Sequence, residues 1–104
     1  MTEVELRSNL SALADLLERH GVDSWAPTLR KKSEFAVADC ELLRYLKSLF
    51  GGMGSLNDIY ICQENGHRIA REEMRAVNKE LNRLSHQLYT TIQQLNSEFG
   101  CDGT

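Results

Sequence analysis

The feature that most constrains the fold of this chain is an apolar stripe in its C-terminal third. Large apolar residues recur there at steps of three and four, in the order Met74, Val77, Leu81, Leu84, Leu88, Ile92, Leu95 and Phe99. Such steps place side chains on one face of an α-helix, because the helix has 3.6 residues per turn. The stripe predicts a continuous helix from about residue 68 to residue 99, with this face buried.

The length of that helix raises the question of what covers it. About 32 helical residues at 1.5 Å each would rise about 48 Å. The shorter helices expected from the rest of the chain cover only part of such a face. The remainder is expected to kink, to pack on a second copy of the chain, or to receive a partner.

The N-terminal region has a helical pattern of its own. Thr2 and Glu5 have the spacing of a capping box, and leucines follow at helical steps, namely Leu6, Leu10, Leu13 and Leu17. His20 and Gly21 have the character of a helix end, since glycine readily adopts the left-handed conformation that closes a helix. We therefore expect a first helix from about residue 3 to residue 20.

A second helix is predicted directly after this one. Asp23 or Ser24 is placed to cap it, and Pro27 falls in its first turn, where a missing N–H costs nothing. Trp25 is interpreted as a core anchor at the corner between the two helices. The alternative is that Trp25 is an exposed interface residue.

A third helix is predicted after Asp39, whose side chain is placed to cap it. A broad apolar face would be formed by Leu42, Leu43, Leu46, Leu49 and Phe50. Gly51 is expected to end this helix.

The segment between the third helix and the long one is the least regular. Residues 51–58 are glycine-rich, whereas residues 59–62, Ile-Tyr-Ile-Cys, have the β-branched and aromatic content of a strand. Residues 59–66 therefore have three open interpretations. They form a short extended segment packed on helices, a hairpin through an Asn65-Gly66 turn, or a further helical turn.

Composition indicates a single globular domain over residues 1–104, with residues 100–104 a frayed tail. Of the 104 residues, 41% are hydrophobic and 26% charged, which is typical of a folded soluble chain. No run approaches the ~20 apolar residues of a membrane span. The acidic start of the chain also lacks the positive charge of a secretory signal. We therefore expect a cytoplasmic protein that does not bind membranes.

The cysteines give no sign of a disulfide or a metal site. Cys40, Cys62 and Cys101 are an odd number at wide spacing, without the close pairs of a zinc site or redox motif. We expect reduced thiols, with Cys40 and Cys62 as small buried hydrophobes and Cys101 exposed in the tail.

The charge of the chain does not identify the class of its partner. The net charge is −3, and the cationic cluster at residues 30–32, Arg-Lys-Lys, has no interleaved aromatic residues. Such a cluster is more typical of a solvated helix face than of a nucleic-acid site. No nucleic-acid partner is predicted.

Enzyme chemistry has few candidates. The glycines of residues 51–54 follow a predicted helix C-terminus, whereas a phosphate-binding loop leads into a helix N-terminus, so we expect no cofactor. Ser55, Asp58 and His67 are the residues from which a small hydrolase site would be built, although nothing in their spacing requires them to meet. No catalytic or metal-binding residues are predicted.

Residues 49–58, Leu-Phe-Gly-Gly-Met-Gly-Ser-Leu-Asn-Asp, carry a resemblance, together with Trp25-Ala26 upstream. Over roughly residues 6–95 the chain resembles an uncharacterised family of small bacterial helical proteins with a Phe-Gly-Gly-Met-Gly-Ser-Leu-Asn-Asp signature. The resemblance implies a bacterial cytoplasmic protein without known enzyme activity. Proteins of this size and type are often immunity proteins that neutralise a cognate toxin, which suggests an inhibitor by analogy.

Taken together, the sequence predicts an all-α fold, a small antiparallel helical bundle of about four helices with a long C-terminal helix. The first and third helices would pack along the long one, and the second would bridge them. The expected function is binding of another protein, as an immunity or antitoxin-type inhibitor that occludes a bacterial toxin. The predicted contacts lie at the glycine-rich corner and are Met53, Leu56, Asn57, Asp58 and Tyr60.

Two alternatives remain beside this prediction. Structurally, Leu56, Ile59 and Ile61 would belong to the core, and Asn57 or Asp58 would merely cap a turn. Functionally, the chain would be a structural homodimer or assembly subunit that uses the uncovered part of the long helix, with a small hydrolase as the weaker choice.

Overall fold

Four α-helices occur in the described part of the chain, with bounds close to those that the sequence predicts. In the computed structural model, which describes residues 2–51 and 55–101 and only the backbone of Thr2 and Asn57, no strand occurs. The helices are α1 (Thr2–Arg19), α2 (Ala26–Lys32), α3 (Cys40–Lys47) and α4 (Met74–Phe99). The predicted all-α bundle with a long C-terminal helix is confirmed.

The helix ends follow local chemistry. Gly21 has φ +75°, and the N–H groups of Gly21 and Val22 donate to the carbonyls of Glu18 and Leu17 at 3.2 and 2.8 Å. This is the Schellman arrangement, in which a left-handed glycine lets the last carbonyls of a helix find donors. The predicted end of α1 is therefore confirmed.

The caps of α2 and α3 differ. The Asp39 carboxylate accepts the Leu42 N–H at 2.8 Å, as predicted. At α2 the prediction is wrong, because Trp25 occupies the N-cap position without a side-chain hydrogen bond and neither Asp23 nor Ser24 does so. Trp25 is half-buried against the core, which is the role expected for an anchor at this corner.

Both α1 and α3 run antiparallel to α4. Asn9 of α1 donates to Thr91 Oγ1 at 2.9 Å, while the end of α1 lies near residue 68. Phe50, just after α3, meets the Tyr89 ring edge-on at 5.2 Å. These contacts fix α4 as the element on which the other two are aligned.

The second helix packs mainly against α1. Arg30 of α2 forms ion pairs with Asp15 and Glu18 of α1, and these hydrogen bonds raise the pKa of its guanidinium. At the other end, Arg7 of α1 donates to the Phe35 carbonyl at 2.7 Å. The contact of α2 with α3 is smaller and is made by Lys32, whose Nζ lies 4.4 Å from the centre of the Tyr45 ring.

The apolar face of α4 is covered within the chain. Its buried residues include Leu81, Leu84, Leu88, Ile92 and Leu95, and they share one core with the leucines of α1. The helix is shorter than predicted, because residues 71–73 form a 3-10 turn and α4 begins at Met74. Exposure rises only at the ends, where Met74 is half-buried and Phe99 is 40% exposed.

The expectation of three reduced thiols is wrong. Cys40 and Cys101 form a disulfide with a Cα–Cα distance of 5.4 Å, while Cys62 is a buried free thiol. Because α3 is antiparallel to α4, the first residue of α3 lies beside the second residue after the end of α4. Sequence spacing cannot show this pairing, since the two cysteines are 61 residues apart. The bond also ties down the start of the predicted tail.

Candidate functional site

The segment before α4 has little repetitive structure, yet its course is closely defined. Two 3-10 turns, Leu56–Asp58 and Gln63–Asn65, flank residues 59–62, which are extended without belonging to a sheet. Of the three open interpretations, the extended segment packed on helices is confirmed. Ile61 is fully buried and joins the core.

Asn78 of α4 takes the place of a neighbouring strand for this segment. Its Oδ1 accepts the Ile61 N–H and its Nδ2 donates to the Ile61 carbonyl, both at 2.8 Å. Buried backbone groups need such partners, and an amide side chain provides a donor and an acceptor together. This role was not predicted from the sequence, in which the only signal for it is an asparagine next to Val77 in the apolar stripe.

A second polar contact joins the far end of the segment to α1. The Arg68 N–H donates to the His20 carbonyl at 2.7 Å, and His20 Nδ1 lies 2.7 Å from the Arg68 carbonyl. Since a carbonyl only accepts, the proton of the imidazole is on Nδ1. The Arg68 guanidinium also donates to the Glu18 carbonyl at 3.4 Å. We call this pair of residues the His20–Arg68 clasp.

The turn between these two contacts is held by its own side chains. His67 Nδ1 accepts the Cys62 N–H, and the His67 N–H donates to the Cys62 carbonyl, both at 3.2 Å. Asn65 Nδ2 donates to the Tyr60 carbonyl at 3.0 Å. Gly66 completes the turn with φ +80°, a left-handed conformation that favours glycine.

Beside these contacts lies an open surface depression of about 230 Å³, which we call the corner pocket. Aromatic side chains line it from two segments, Trp25 at the start of α2 and Tyr60 in the extended segment. Further lining comes from Val22 and Ile59, and the polar residues are Ser24, Ser55, Asp58, Asn65 and His67.

Two of the predicted contact residues line this pocket. Asp58 is exposed, and Tyr60 is 52% exposed. Leu56 does not fit its prediction as a surface contact, because it is 1% exposed and packs in the core. Met53 and the side chain of Asn57 lie outside the described residues. The structure thus places Asp58 and Tyr60 in the same pocket as Trp25, a residue that the sequence had led us to expect in the core.

The proposed hydrolase residues also meet at this pocket, but their roles are constrained. His67 Nδ1 accepts a backbone N–H, so the neutral ring carries its proton on Nε2. In that tautomer the ring cannot take a proton from Ser55, which a serine nucleophile requires. The Ser55 hydroxyl is buried and has no hydrogen-bond partner among the described residues.

A second cleft, of about 480 Å³, lies between the end of α3 and the middle of α4. The Phe50 and Tyr89 pair forms part of it, and Leu81 and Ile59 contribute apolar surface. His86 lines it as well, but no group of three or more possible metal ligands occurs in residues 2–51 and 55–101. The same stretches contain no helix that is both long and apolar enough to cross a membrane.

The fold and the pocket together show the class of protein. It is a small all-α domain whose surface pocket is built from loops and is about the size of one side chain. The chain belongs to the family described as Domain of unknown function (DUF6966), whose model matches residues 18–70. No curated protein and no solved structure matches the chain. The matched range contains the His20–Arg68 clasp and every residue that lines the corner pocket, whereas α4 lies outside it. We therefore take the corner pocket, rather than the cleft beside α4, as the candidate functional site.

Proposed function

We propose that this protein is a binding module that recognises another protein by accepting one of its side chains in the corner pocket. The observation that carries the proposal is the meeting of two accessible aromatic rings, Trp25 and Tyr60, with several polar groups in one concave site. Aromatic residues are enriched at the energetic centres of protein interfaces, because they bring large rigid area at little cost in conformational entropy.

The size of the pocket supports a side chain as occupant. Sites for drug-sized ligands usually enclose about 300–1,000 Å³. The corner pocket, at about 230 Å³, is smaller. Its walls are also held before any partner arrives, by Asn78, the His20–Arg68 clasp and the Cys62–His67 pair. A preformed pocket avoids part of the ordering cost of association.

In its finer form the proposal is an immunity or antitoxin-type inhibitor, whose partner is a cognate bacterial toxin. The support is the resemblance to small bacterial helical proteins, together with a surface pocket suited to a protein ligand. The homodimer alternative depended on an uncovered face of α4. Because the described part of that face is buried from Leu81 to Leu95, a partner other than a second copy is the better-supported proposal.

The test uses the intact protein as bait against purified candidates, beginning with the product of any toxin-like gene beside its own. Tyr60→Ala should abolish capture of a true partner. Tyr45→Ala is the matched control, because Tyr45 is also an exposed tyrosine, 39% accessible, but lies on α3 outside the pocket. A partner that binds both variants as tightly as the unchanged protein would contradict the proposal.

The inhibitor form has a separate test in cells. Co-expression should rescue growth from the candidate toxin, and rescue should fail with Tyr60→Ala but persist with Tyr45→Ala. Toxicity that continues at full expression of the unchanged protein, with the two proteins bound to each other in vitro, would leave a binding module that is not an inhibitor.

The compartment bears on both forms of the proposal. We propose a cytoplasmic location from the sequence, but the Cys40–Cys101 disulfide is of a type that persists in oxidising compartments. Alkylation of thiols in freshly lysed host cells separates the two cases. A cytoplasmic, reduced protein should label at all three cysteines after denaturation, whereas an oxidised one should label only at Cys62.

A further inference from the structure

We infer that a groove along one side of α4 receives an acidic segment of the protein partner, in which an apolar centre lies between two groups of carboxylates. The inference rests on the proposed function, which it deepens by naming the chemistry of the partner next to the corner pocket. It follows from the distribution of charge and of apolar surface along α4.

Three surface depressions follow each other along α4, and we call them together the α4 groove. The first lies beside the start of the helix and Tyr60, the second is the cleft of about 480 Å³ described above, and the third lies between α3 and the last turns of α4. Asn82 lines both the first and the second, and Lys47 lines both the second and the third. From Met74 to Ser97, at 1.5 Å per residue, the groove is about 35 Å long.

The formal charge of the groove has a single sign. Five of its lining residues carry a full charge and all are cations, namely Arg44, Lys47, Arg71, Arg75 and Lys79. No aspartate or glutamate lines it in the part of the chain that the structure describes, although the whole chain has 15 acidic residues against 12 lysines and arginines. An ordinary solvated face of mixed charge would contain both signs.

These five cations are not paired within the chain. All five side chains are exposed, and none forms an ion pair with a carboxylate in the residue ranges that the structure describes. Two acids near the start of α4 are engaged elsewhere, since Glu80 pairs with Arg83 and Glu73 Oε1 accepts the Ala70 N–H at 3.2 Å. The groove therefore offers its positive charge to an anion from outside the chain.

The cations lie towards the two ends of the groove, with apolar surface between them. Three of them line the first depression, whereas Arg44 and Lys47 line the third. The central cleft contains the edge-on pair of Phe50 and Tyr89 together with Ile59, and each of these side chains is half-buried and so partly accessible. A matching ligand carries an apolar group in its middle and carboxylates to either side, as an amphipathic segment in a groove does.

A protein segment fits these properties better than a nucleic acid does. The chain as a whole has a net charge of −3, which opposes the approach of a polyanion, and domains that bind nucleic acid are usually strongly basic. In a peptide, carboxylates can be confined to the two places where the cations lie. Carboxylates also accept the paired N–H groups of arginine, which supplies three of the five cations.

The groove adjoins the corner pocket, because Tyr60 lines both. One partner can therefore insert a side chain into the pocket while a neighbouring acidic segment follows α4. Charge complementarity of this kind speeds association and fixes the register of the two proteins.

Defined peptides can test the inference before any partner is known. The probe is acetyl-Glu-Glu-Glu-Gly-Ser-Leu-Phe-Leu-Ser-Gly-Glu-Glu-Glu-amide, which extends to about 43 Å at about 3.3 Å per residue and so reaches both ends of the groove. One comparison peptide replaces all six glutamates by glutamine, and another replaces Leu-Phe-Leu by Ser-Ser-Ser. A thymidine heptanucleotide, with six phosphates, tests a nucleic acid of similar charge. NMR titration of ¹⁵N-labelled protein measures each affinity and shows that each variant is folded.

The acidic probe should bind saturably, with an affinity at least tenfold above that of the glutamine peptide and at least threefold above that of the serine-centred peptide. Lys79→Gln and Lys47→Gln, towards opposite ends of the groove, should each weaken binding at least threefold. Lys31→Gln is the matched control, because it removes the same charge from an exposed position on α2 outside the groove. It should leave the affinity within twofold.

The inference would be overturned by equal affinity for the acidic and glutamine peptides, by no saturable binding of the acidic probe, or by equal losses in Lys31→Gln and the two groove variants. Binding of the heptanucleotide as tight as that of the acidic probe would overturn it too, because the groove would then be a site for nucleic acid. Any of these results leaves the proposed function standing if partner capture still depends on Tyr60. Conversely, acid-selective binding combined with partner capture that ignores Tyr60→Ala would remove the proposed function and keep a site for acidic segments.

Discussion

Two regions of this molecule differ in how they are fixed in place. The helical frame of α1, α3 and α4 is built on apolar side chains, and its largest fully buried residues are leucines and Ile92. The segment over residues 55–70 adds Leu56, Ile61 and Ile69 to the same core, and it is also fixed by hydrogen bonds from polar side chains to its backbone, at Ile61, Cys62 and Arg68. The frame therefore depends on apolar burial, whereas the position of the segment also depends on directional polar contacts.

This difference explains where the candidate site lies. Apolar packing is non-directional and tolerates a range of side chains of similar volume. Hydrogen bonds to backbone atoms fix both distance and direction. A pocket that must present Asp58 and Tyr60 in one geometry therefore gains from the polar contacts of the segment, while α4 serves as the base to which Asn78 attaches it.

The largest expected effect is in the frame. Leu88 is fully buried on α4, so Leu88→Ala should lower the free energy of unfolding by about 4 kcal/mol through lost burial and the cavity left behind. Gln87→Ala, on the exposed side of the same helix, is the control and should change it little. Urea unfolding followed by circular dichroism measures both. If both variants lost the same free energy of unfolding, the buried apolar stripe of α4 would not be what stabilises the helical frame.

Loss of the disulfide should have the second-largest effect on stability. Cys101→Ser opens a covalent loop between the start of α3 and the end of α4, and should cost about 3 kcal/mol, chiefly by freeing the unfolded chain. Reductant should lower the melting temperature of the unchanged protein to that of the variant, and should not affect the variant itself. Cys62→Ala keeps the bond and should retain sensitivity to reductant. A melting temperature indifferent to reductant would show that the frame does not depend on this bond.

The third prediction separates the two regions directly. Asn78→Leu preserves bulk but leaves the buried Ile61 N–H and carbonyl without partners, and should cost about 2 kcal/mol. The loss should be local. In hydrogen exchange, amides of residues 59–69 should exchange faster while the amides of α1 keep their protection. Uniform acceleration through both regions would show that segment and frame unfold as one unit.

Features that depend on residues close together in the sequence could be predicted, whereas contacts between distant residues could not. The stripe on α4, the Gly21 stop and the Asp39 cap depend on residues close together in the chain, so helix type and approximate bounds were predictable. The Cys40–Cys101 bond and the His20–Arg68 clasp join residues 61 and 48 positions apart, and only the antiparallel arrangement of the helices brings them together.

Within the site, prediction was limited for the same reason, because residues far apart in the sequence decide which side chains meet. Asp58 and Tyr60 were identifiable because both lie in the irregular segment, where turns expose polar and aromatic groups. Trp25 was expected as a core anchor with an exposed interface residue as the alternative, and it both packs against the core and lines the pocket. Leu56 was expected as a contact with a core position as the alternative, and the core position is the one observed. The direction of a side chain in such a segment depends on contacts with distant residues, such as the one between Asn78 and Ile61.

The smallest expected effect tests whether polar contacts matter equally in both regions. Glu80 and Arg83 form an ion pair on the exposed side of α4, and the Arg83 hydrogen bond lowers the pKa of the Glu80 carboxyl. A lowered pKa means that the pair stabilises the fold above the ordinary carboxyl pKa and stops doing so as the pH falls through the lowered value. Glu80→Gln should therefore reduce the melting temperature slightly at neutral pH and not at all in acid. Because water and salt screen an exposed pair, the reduction should be far smaller than that of Asn78→Leu. A difference as large as that of Asn78→Leu, or one that grows on acidification, would show that the frame also depends on its polar contacts.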